Sequence, residues 1–485
     1  MNNSLKCSHS WMSAAFAGAI VVAAVAPLAA QVKPEQAASM LLGSARLAYN
    51  EKNYSFAADR FREFLGKYGN HKEANAARYG LALCLIDGPS KDYNGAIQQL
   101  QPLAGDKSLP EHPFVLYYLG LSQRGLGTQA MAQAIAKPQE ANQQRNTAQQ
   151  RFEEASKHFA AAVTAFTARI PKTDTTPKET PIELEWAARA RCDQAEMLLR
   201  LHKAKEAQTI AAAFLQDAAL RKSRYRDLGV YYHGFASFLL KDNLAAGRSL
   251  SLLTPFTDPV FGTHARYLLA RVHHAAGERR EALEHYEGVL ADHTKRKQAA
   301  TEELKQPDRF KNDPQEKARL EQLVRGPLPD HVARATFFLG VMEYEDGKFA
   351  EAVTQLNAFH QQLPNSPLSA EAQLRVGFCQ VQLKQFADAQ KTLQPLADKE
   401  PRLADQALLW IAKAQASTGD PANRPAYEQA LKTALDTFRK AADRANQLAS
   451  TDPSAKRRRG EILLEMADTQ QLAHQYKEAA ATYNQ

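Results

Sequence analysis

The clearest pattern of apolar and polar positions lies in residues 337–367, FFLGVMEYEDGKFAEAVTQLNAFHQQLPNSP. Apolar and small side chains recur there at helical spacing, with one polar interruption around Gly347 and an end at Pro364. Gly340 and Ala352 are twelve residues apart, one on each side of the interruption. The pattern predicts two helices joined by a tight turn, with the small residues where the helices approach each other.

The same spacing recurs along most of the chain. It is found at Ala45–Ala57, Gly120–Ala132, Ala195–Ala207, Gly234–Ala246, Ala270–Ala282, Gly377–Ala389 and Ala467–Ala479, and with insertions at Gly80–Ala96 and Ala412–Ala434. One helix pair cannot bury its apolar face alone, so about ten copies in one chain predict a stack. We therefore expect an all-α fold of stacked antiparallel helix pairs. A set of unrelated helical bundles is the alternative.

The order Leu-Gly, turn Gly, aromatic-x-x-Ala, large apolar residue and Pro covers nearly all of residues 37–485. It resembles the tetratricopeptide-repeat (TPR) family, most closely in LGVMEYEDGKFAEAVTQLNAFHQQLP and LARVHHAAGERREALEHYEGVL. The resemblance implies a right-handed superhelical solenoid that binds protein segments in a concave groove lined by the first helix of each pair.

Residues 1–30 precede the repeats. Lys6 is the one charged residue before the apolar run at 14–30, AAFAGAIVVAAVAPLAA, which a polar stretch follows. This order predicts a secretory signal peptide cleaved after Ala30, and a retained anchor helix is the alternative. We expect an exported protein of the periplasm or cell envelope, without a transmembrane helix once the signal is removed. It is then most similar to exported bacterial envelope TPR proteins, although it lacks the Cys of their lipoprotein members.

Composition changes indicate the domain organisation. We expect repeats at 31–170 with a polar insertion at 128–150, a Pro/Thr linker at 171–181, repeats at 182–291, a charged insertion at 292–330, and repeats at 331–485 with the last unit incomplete. The linker is interpreted as a hinge. The charged insertion is interpreted as a solvated helical element, with a docking element as the alternative.

The sequence contains no recognisable catalytic motif, including the zinc-protease, nucleophile-elbow, P-loop and dinucleotide patterns. Cys84, Cys192 and Cys379 are far apart in apolar helical patterns, which indicates core residues and not a disulfide or metal framework. The formal charge of +8 is spread along the chain, and the basic run at 456–459 has no interleaved aromatic residues. We predict no catalytic residue, cofactor or metal, and no nucleic-acid partner.

Positions that line the first-helix groove give the candidate site. Counting the small residue as the eighth place, the second, fifth, ninth and twelfth places hold aromatic and cationic residues suited to anchoring a protein or peptide segment. The predicted protein-binding residues are Tyr231, Phe235, Tyr267, Arg271, His274, Arg334, Phe337 and Tyr344. The alternative is that the aromatic members pack between helices.

Two functions are compatible with this sequence. The first is an exported, non-catalytic TPR scaffold that mediates protein–protein interaction through its concave groove, in envelope assembly or maintenance. The second is the helical solenoid of a larger envelope enzyme, such as a peptidoglycan-cleaving one, with its catalytic domain beyond residue 485. The final repeat stops inside its second helix, and this feature keeps the second hypothesis open.

Overall fold

The computed structural model of this chain describes residues 33–170, 180–310 and 313–485. These residues form helices and turns, with no strand among them. The predicted signal peptide and residues 171–179 of the predicted linker lie outside the described residues, so both assignments stay predictions. No helix among the described residues combines the length and the hydropathy needed to cross a membrane.

The chain divides between Pro255 and Phe256 into two units. Unit 1 contains α1 Pro34–Asn50, α2 Tyr54–Lys67, α3 Ala74–Asp87, α4 Tyr93–Leu100, α5 His112–Ala136, α6 Ala141–Thr167, α7 Ile182–Arg200, α8 Ala204–Ala211, α9 Ala213–Gln216, α10 Arg226–Leu239 and α11 Asn243–Ser251. Unit 2 contains α12 Gly262–Ala276, α13 Arg279–Leu304, α14 Pro314–Arg325, α15 Asp330–Glu345, α16 Phe349–Gln362, α17 Ser369–Gln382, α18 Phe386–Lys399, α19 Ala404–Thr418, α20 Arg424–Leu448, α21 Ala455–Leu472 and α22 Tyr476–Tyr483.

Within each unit, helices that follow one another in the chain pack as pairs, and the pairs stack. In unit 2 the first helices of the pairs are α12, α15, α17, α19 and α21. From α12 to α19, each first helix contacts the next first helix, and so does the second helix of its pair. Neighbours along the stack therefore share two sets of contacts, which is the arrangement of a helical-repeat protein. The all-α fold of stacked helix pairs predicted from the sequence is confirmed.

At Gly340 and Gly377 the glycine of the repeat leaves room for a leucine sixteen residues later. A Cβ added to Gly340 would lie 2.8 Å from Leu356 Cγ, and one added to Gly377 would lie 2.3 Å from Leu393 Cγ. Both leucines are fully buried. A side chain larger than hydrogen at Gly340 or Gly377 would push its leucine out of position, so in these two repeats the glycine sets the distance between the two helices of the pair.

The turn between the helices of a pair also has a fixed position. Seven residues after the small residue, the backbone adopts the left-handed conformation, at Lys52, His202, Lys241, Gly277, Gly347, Lys384 and His474. Glycine adopts this conformation without steric strain, which explains the turn glycines at 277 and 347. The other five repeats place lysine or histidine there, with φ between 59° and 63°.

Two segments lengthen helices beyond the repeat. Residues 128–150 form the end of α5 and the start of α6, whose 25 and 27 residues make one long pair in unit 1. In unit 2, α13 continues for 26 residues into the charged segment and meets α14 at a small core of Ala300, Phe310 and Leu320. On either side of residues 171–179, α6 and α7 pack together, with Phe166 and Trp186 stacked at 5.8 Å between ring centroids.

Candidate binding face

All eight residues predicted to bind a partner lie on first helices of the repeats, on α10 in unit 1 and on α12 and α15 in unit 2. The buried ones are Tyr231, Tyr267 and Phe337, which are 3%, 5% and 1% exposed. The half-buried ones are Phe235, Arg271, His274, Arg334 and Tyr344. The buried rings pack between helices, while the half-buried side chains retain accessible surface. Contact of any of the eight with a partner stays a prediction.

Arg271 is a cation on the first-helix surface of α12. Its guanidinium carbon lies 3.7 Å from the centroid of the Phe338 ring on α15. Burial raises the pKa of the nearby Tyr267 and Tyr286 and outweighs the opposing effect of the Arg271 charge, so both hydroxyls are neutral at physiological pH. Within the described part of the chain, Arg271 forms no ion pair with a carboxylate. Its positive charge therefore faces an aromatic ring and neutral hydroxyls.

Arg375 repeats this arrangement between α17 and α15. Its guanidinium carbon is 5.4 Å from the Phe337 ring centroid and 6.0 Å from that of Tyr344. The nearest carboxylate, Glu371 one turn earlier on the same helix, is at 3.6 Å, which is a loose ion pair. Tyr344 in turn contacts Phe378 of α17 edge-on, with 4.9 Å between ring centroids.

The ring contacts continue onto α19. Phe378 meets Trp410 edge-on at 4.5 Å between centroids, and both side chains are half-buried. Lys413, one turn later on α19, places its ammonium nitrogen 4.9 Å from the Trp410 ring and forms an ion pair with Glu465 of α21. Edge-to-face rings and stacked cations each add stability beyond the area they bury.

We call this surface the cation–aromatic face. Its members are Tyr267, Arg271, Phe338, Tyr344, Arg375, Phe378, Trp410 and Lys413. They lie on four successive first helices of unit 2. Three of the residues that the sequence prediction omitted, Phe338, Arg375 and Trp410, share the sixth place of the repeat. The sequence could have indicated these three residues, because the sixth place lies on the same helix face as the fifth and ninth places.

His274 and Arg334 lie at the edge of the face and are engaged within the protein. The two ring nitrogens of His274 contact the Tyr286 hydroxyl at 3.2 Å and a Glu345 carboxylate oxygen at 3.0 Å, which ties α12 to α13 and α15. Arg334 donates to Asp330 at 2.7 Å on its own helix. Within the described residues, His274 and Arg334 are therefore each in contact with a carboxylate of the protein, whereas Arg271 is not.

Unit 1 carries a different network on its first helices. Arg124 of α5 donates to Asp193 of α7 at 2.7 Å and lies 3.3 Å from Glu196, while the Tyr117 hydroxyl donates to Asp193 at 2.7 Å. Burial lowers the pKa of Arg124, but the two carboxylates outweigh burial and the pKa is raised. One cation therefore faces two carboxylates and a hydroxyl. These charges satisfy one another across α5 and α7, which favours a structural role.

The described residues give little support for a metal site. No group of three or more His, Cys, Asp and Glu side chains among them is arranged to hold a metal ion. The His273 and His285 rings stack at 5.3 Å between centroids, whereas His274 is directed to Tyr286 and Glu345. The absence of a metal, a cofactor and catalytic chemistry stays a prediction.

Comparisons with known proteins add no family. No protein-family model and no curated protein matches this sequence. A search of solved structures returns the crystal structure of the yeast Tom70, at 12% sequence identity, covering 93% of this chain and 96% of that chain, with a TM-score of 0.23. A superposition at that TM-score carries no argument about this chain, so its fold rests on the helix pairs described above.

Proposed function

We propose that this chain is an exported, non-catalytic repeat scaffold that binds protein segments on the cation–aromatic face of unit 2, in the cell envelope. The observation that carries the proposal is the row of half-buried rings and cations across α12, α15, α17 and α19. Tryptophan, tyrosine and arginine in such clusters are the side chains that most often dominate protein–protein binding energy.

The chemistry of the face selects a class of segment. Arg271 has no carboxylate partner within the described part of the chain, and that of Arg375 is at 3.6 Å. A carboxylate from a bound segment can pair with either guanidinium while an apolar side chain covers the rings of Phe378 and Trp410. The preferred ligand is therefore an acidic segment that also carries aromatic or aliphatic residues. A basic segment is disfavoured by the same two arginines.

Trp410 provides a direct test, because it belongs to the face and is fluorescent. In the full chain with Trp11→Phe and Trp186→Phe, Trp410 is the remaining tryptophan. Titration with a synthetic peptide of about 12 residues that alternates Glu with Leu and Phe should give a saturable change in emission. Peptides with Lys in place of Glu, or Ser in place of Leu and Phe, should bind at least about tenfold more weakly.

The variant Arg271→Gln with Arg375→Gln should weaken binding of the acidic peptide by about tenfold or more, since two charge-assisted contacts are lost. Arg439→Gln is the matched control, because Arg439 pairs with Asp436 on the second helix α20 and lies off the face. Equal affinity for all three peptides, or equal losses in both variants, would remove the face from the binding site.

Export has its own measurement. When the full chain is expressed in a Gram-negative host, the intact mass of the protein should correspond to a start at Gln31, and fractionation should place it in the periplasm. A mass that still includes residues 1–30 would indicate that these residues anchor the protein in the membrane and that it is not exported in free form.

A further inference from the structure

Histidines concentrate at one place in unit 2. Of the fourteen histidines in the chain, six are at positions 264, 273, 274, 285, 293 and 331, on α12, α13 and the start of α15. We call five of them, His264, His273, His285, His293 and His331, the histidine junction. The sixth, His274, contacts Tyr286 and Glu345 as described above.

The first pair joins α12 to α15. The His264 and His331 rings lie edge-on with 5.3 Å between centroids. The pKa of each is lowered to about 4, mainly by burial and also by a neighbouring imidazole: His331 acts on His264, and His293 acts on His331. Arg296 of α13 adds to the positive surroundings of His331, and Asp330 acts in the opposite direction.

The second pair joins α12 to α13. The His273 and His285 rings stack at 5.3 Å between centroids with 16° between their planes. Burial lowers the pKa of His285, and His273 and Arg266 of α12 lower it further. Glu281 and Glu284 on α13 act in the opposite direction, and Glu278 contacts His273 at 2.5 Å. The two stacked imidazoles pack against each other in the manner of an aromatic pair.

Acid changes both contacts in the same direction. Protonation of the first pair puts like charges about 5 Å apart at partly buried sites near Arg296, and protonation of His285 puts a charge beside Arg266. A histidine whose folded pKa is lowered contributes stability above its unfolded pKa of about 6.5, and that contribution is lost as the pH falls from there through about 4. The contacts of α12 with α13 and α15 therefore weaken in mildly acidic solution.

We propose that the histidine junction is an acid-sensitive switch that detaches α12 from α13 and α15 and so disables the cation–aromatic face. The connection is the helix itself: His264, Tyr267 and Arg271 follow one another at three- and four-residue spacing along one side of α12. Loosening α12 moves Arg271 away from Phe338 of α15. The effect on ligand binding rests on the proposed function, whereas the opening of the junction does not.

Hydrogen exchange of the full chain tests the opening. Protection is compared at about pH 7.5 and pH 4.5 after correction for the intrinsic pH dependence of exchange. Segments from α12 and α15 should lose protection about tenfold more than segments from α17 and α19, which serve as the internal reference. His264→Gln with His331→Gln, which leaves the first pair uncharged at both pH values, should reduce the extra loss of protection in α15 to less than about twofold. His474→Gln is the control, since His474 is exposed on the last helix pair.

Each outcome decides the proposal. Equal protection changes in all four helices of the unmodified chain would overturn the switch, and so would a selective loss in α15 that persists in the double variant. If the double variant has lost helical circular dichroism at pH 7.5, His285→Gln, which removes the second pair alone, replaces it and should reduce the selective loss. The fluorescence of Trp410 can show no peptide binding at either pH while hydrogen exchange still shows the selective loss of protection in acid. That combination refutes the proposed function and leaves the switch standing.

Discussion

Adding one methyl group at Gly377 should destabilise unit 2, whereas adding it at Gly460 should stabilise it. At Gly377 the new Cβ would lie 2.3, 2.4 and 2.7 Å from three side-chain carbons of Leu393, where carbon atoms normally approach to about 3.5–4.0 Å. Leu393 must therefore retreat by about 1 Å or more. It is fully buried against Leu374, Leu396 and Ile411, so this movement disturbs a packed core.

Such overpacking typically costs about 1–3 kcal/mol, and the near-contact with three carbons places Gly377→Ala near the upper end. The higher helix propensity of alanine returns about 1 kcal/mol, which leaves a net loss of about 2 kcal/mol. Gly460→Ala has the same propensity gain in the interior of α21, but no atom lies within 4 Å of its new Cβ. It should stabilise by about 0.5–1 kcal/mol.

The assay is urea unfolding followed by Trp410 fluorescence in the Trp11→Phe, Trp186→Phe chain. Trp410 packs against the cluster that contains Leu393, so its emission reports the unfolding of this part of unit 2. The free energies of Gly377→Ala and Gly460→Ala should differ by about 2–3 kcal/mol, and this difference cancels the shared propensity gain. Leu393→Ala should lower the free energy of unfolding less in the Gly377→Ala background than it does as a single substitution. Two glycine variants that shift stability equally, in the same direction, would refute this account of the small residue.

Three further predictions concern other parts of the molecule. Lys384→Gly should raise the unfolding free energy by about 0.5–1 kcal/mol in urea titrations, because a side chain is strained at φ 60°; a loss would contradict this. Asp405→Ala should lower it by about 3 kcal/mol, because the fully buried carboxylate pairs with Arg458 at 2.7 Å; a neutral result would show the pair dispensable. Burial raises the pKa of Cys84 and Cys379 to about 12, so iodoacetamide at about pH 8 should alkylate them only after unfolding, as counted by mass spectrometry.

The helix pairs could be predicted from the sequence because their determinants are local. Within one unit, Leu356 follows its contact partner Gly340 by sixteen residues, and the left-handed turn residue Gly347 follows Gly340 by seven. Both spacings are repeated in other units. A contact repeated at constant sequence separation leaves a periodic signal, which a single sequence displays without a structure. The left-handed lysine at 384 shows the limit of this signal, since residue type alone does not indicate a positive φ there.

The cation–aromatic face could be predicted only in part, because its contacts join different repeats. The repeat period correctly placed Tyr267, Arg271 and Tyr344 on first helices. It did not indicate that Arg271 stacks on Phe338, a residue 67 positions later and beyond the charged segment that enters after α12. The length of an insertion does not fix how the next first helix docks, so such pairings are decided by packing between repeats. In unit 1 the pairing of Arg124 with Asp193 is of the same kind, across the long α5–α6 pair. Position in the repeat therefore predicts which helix face a side chain occupies, whereas the partner that it meets, and hence whether its charge stays available to a ligand, is determined by the neighbouring repeat.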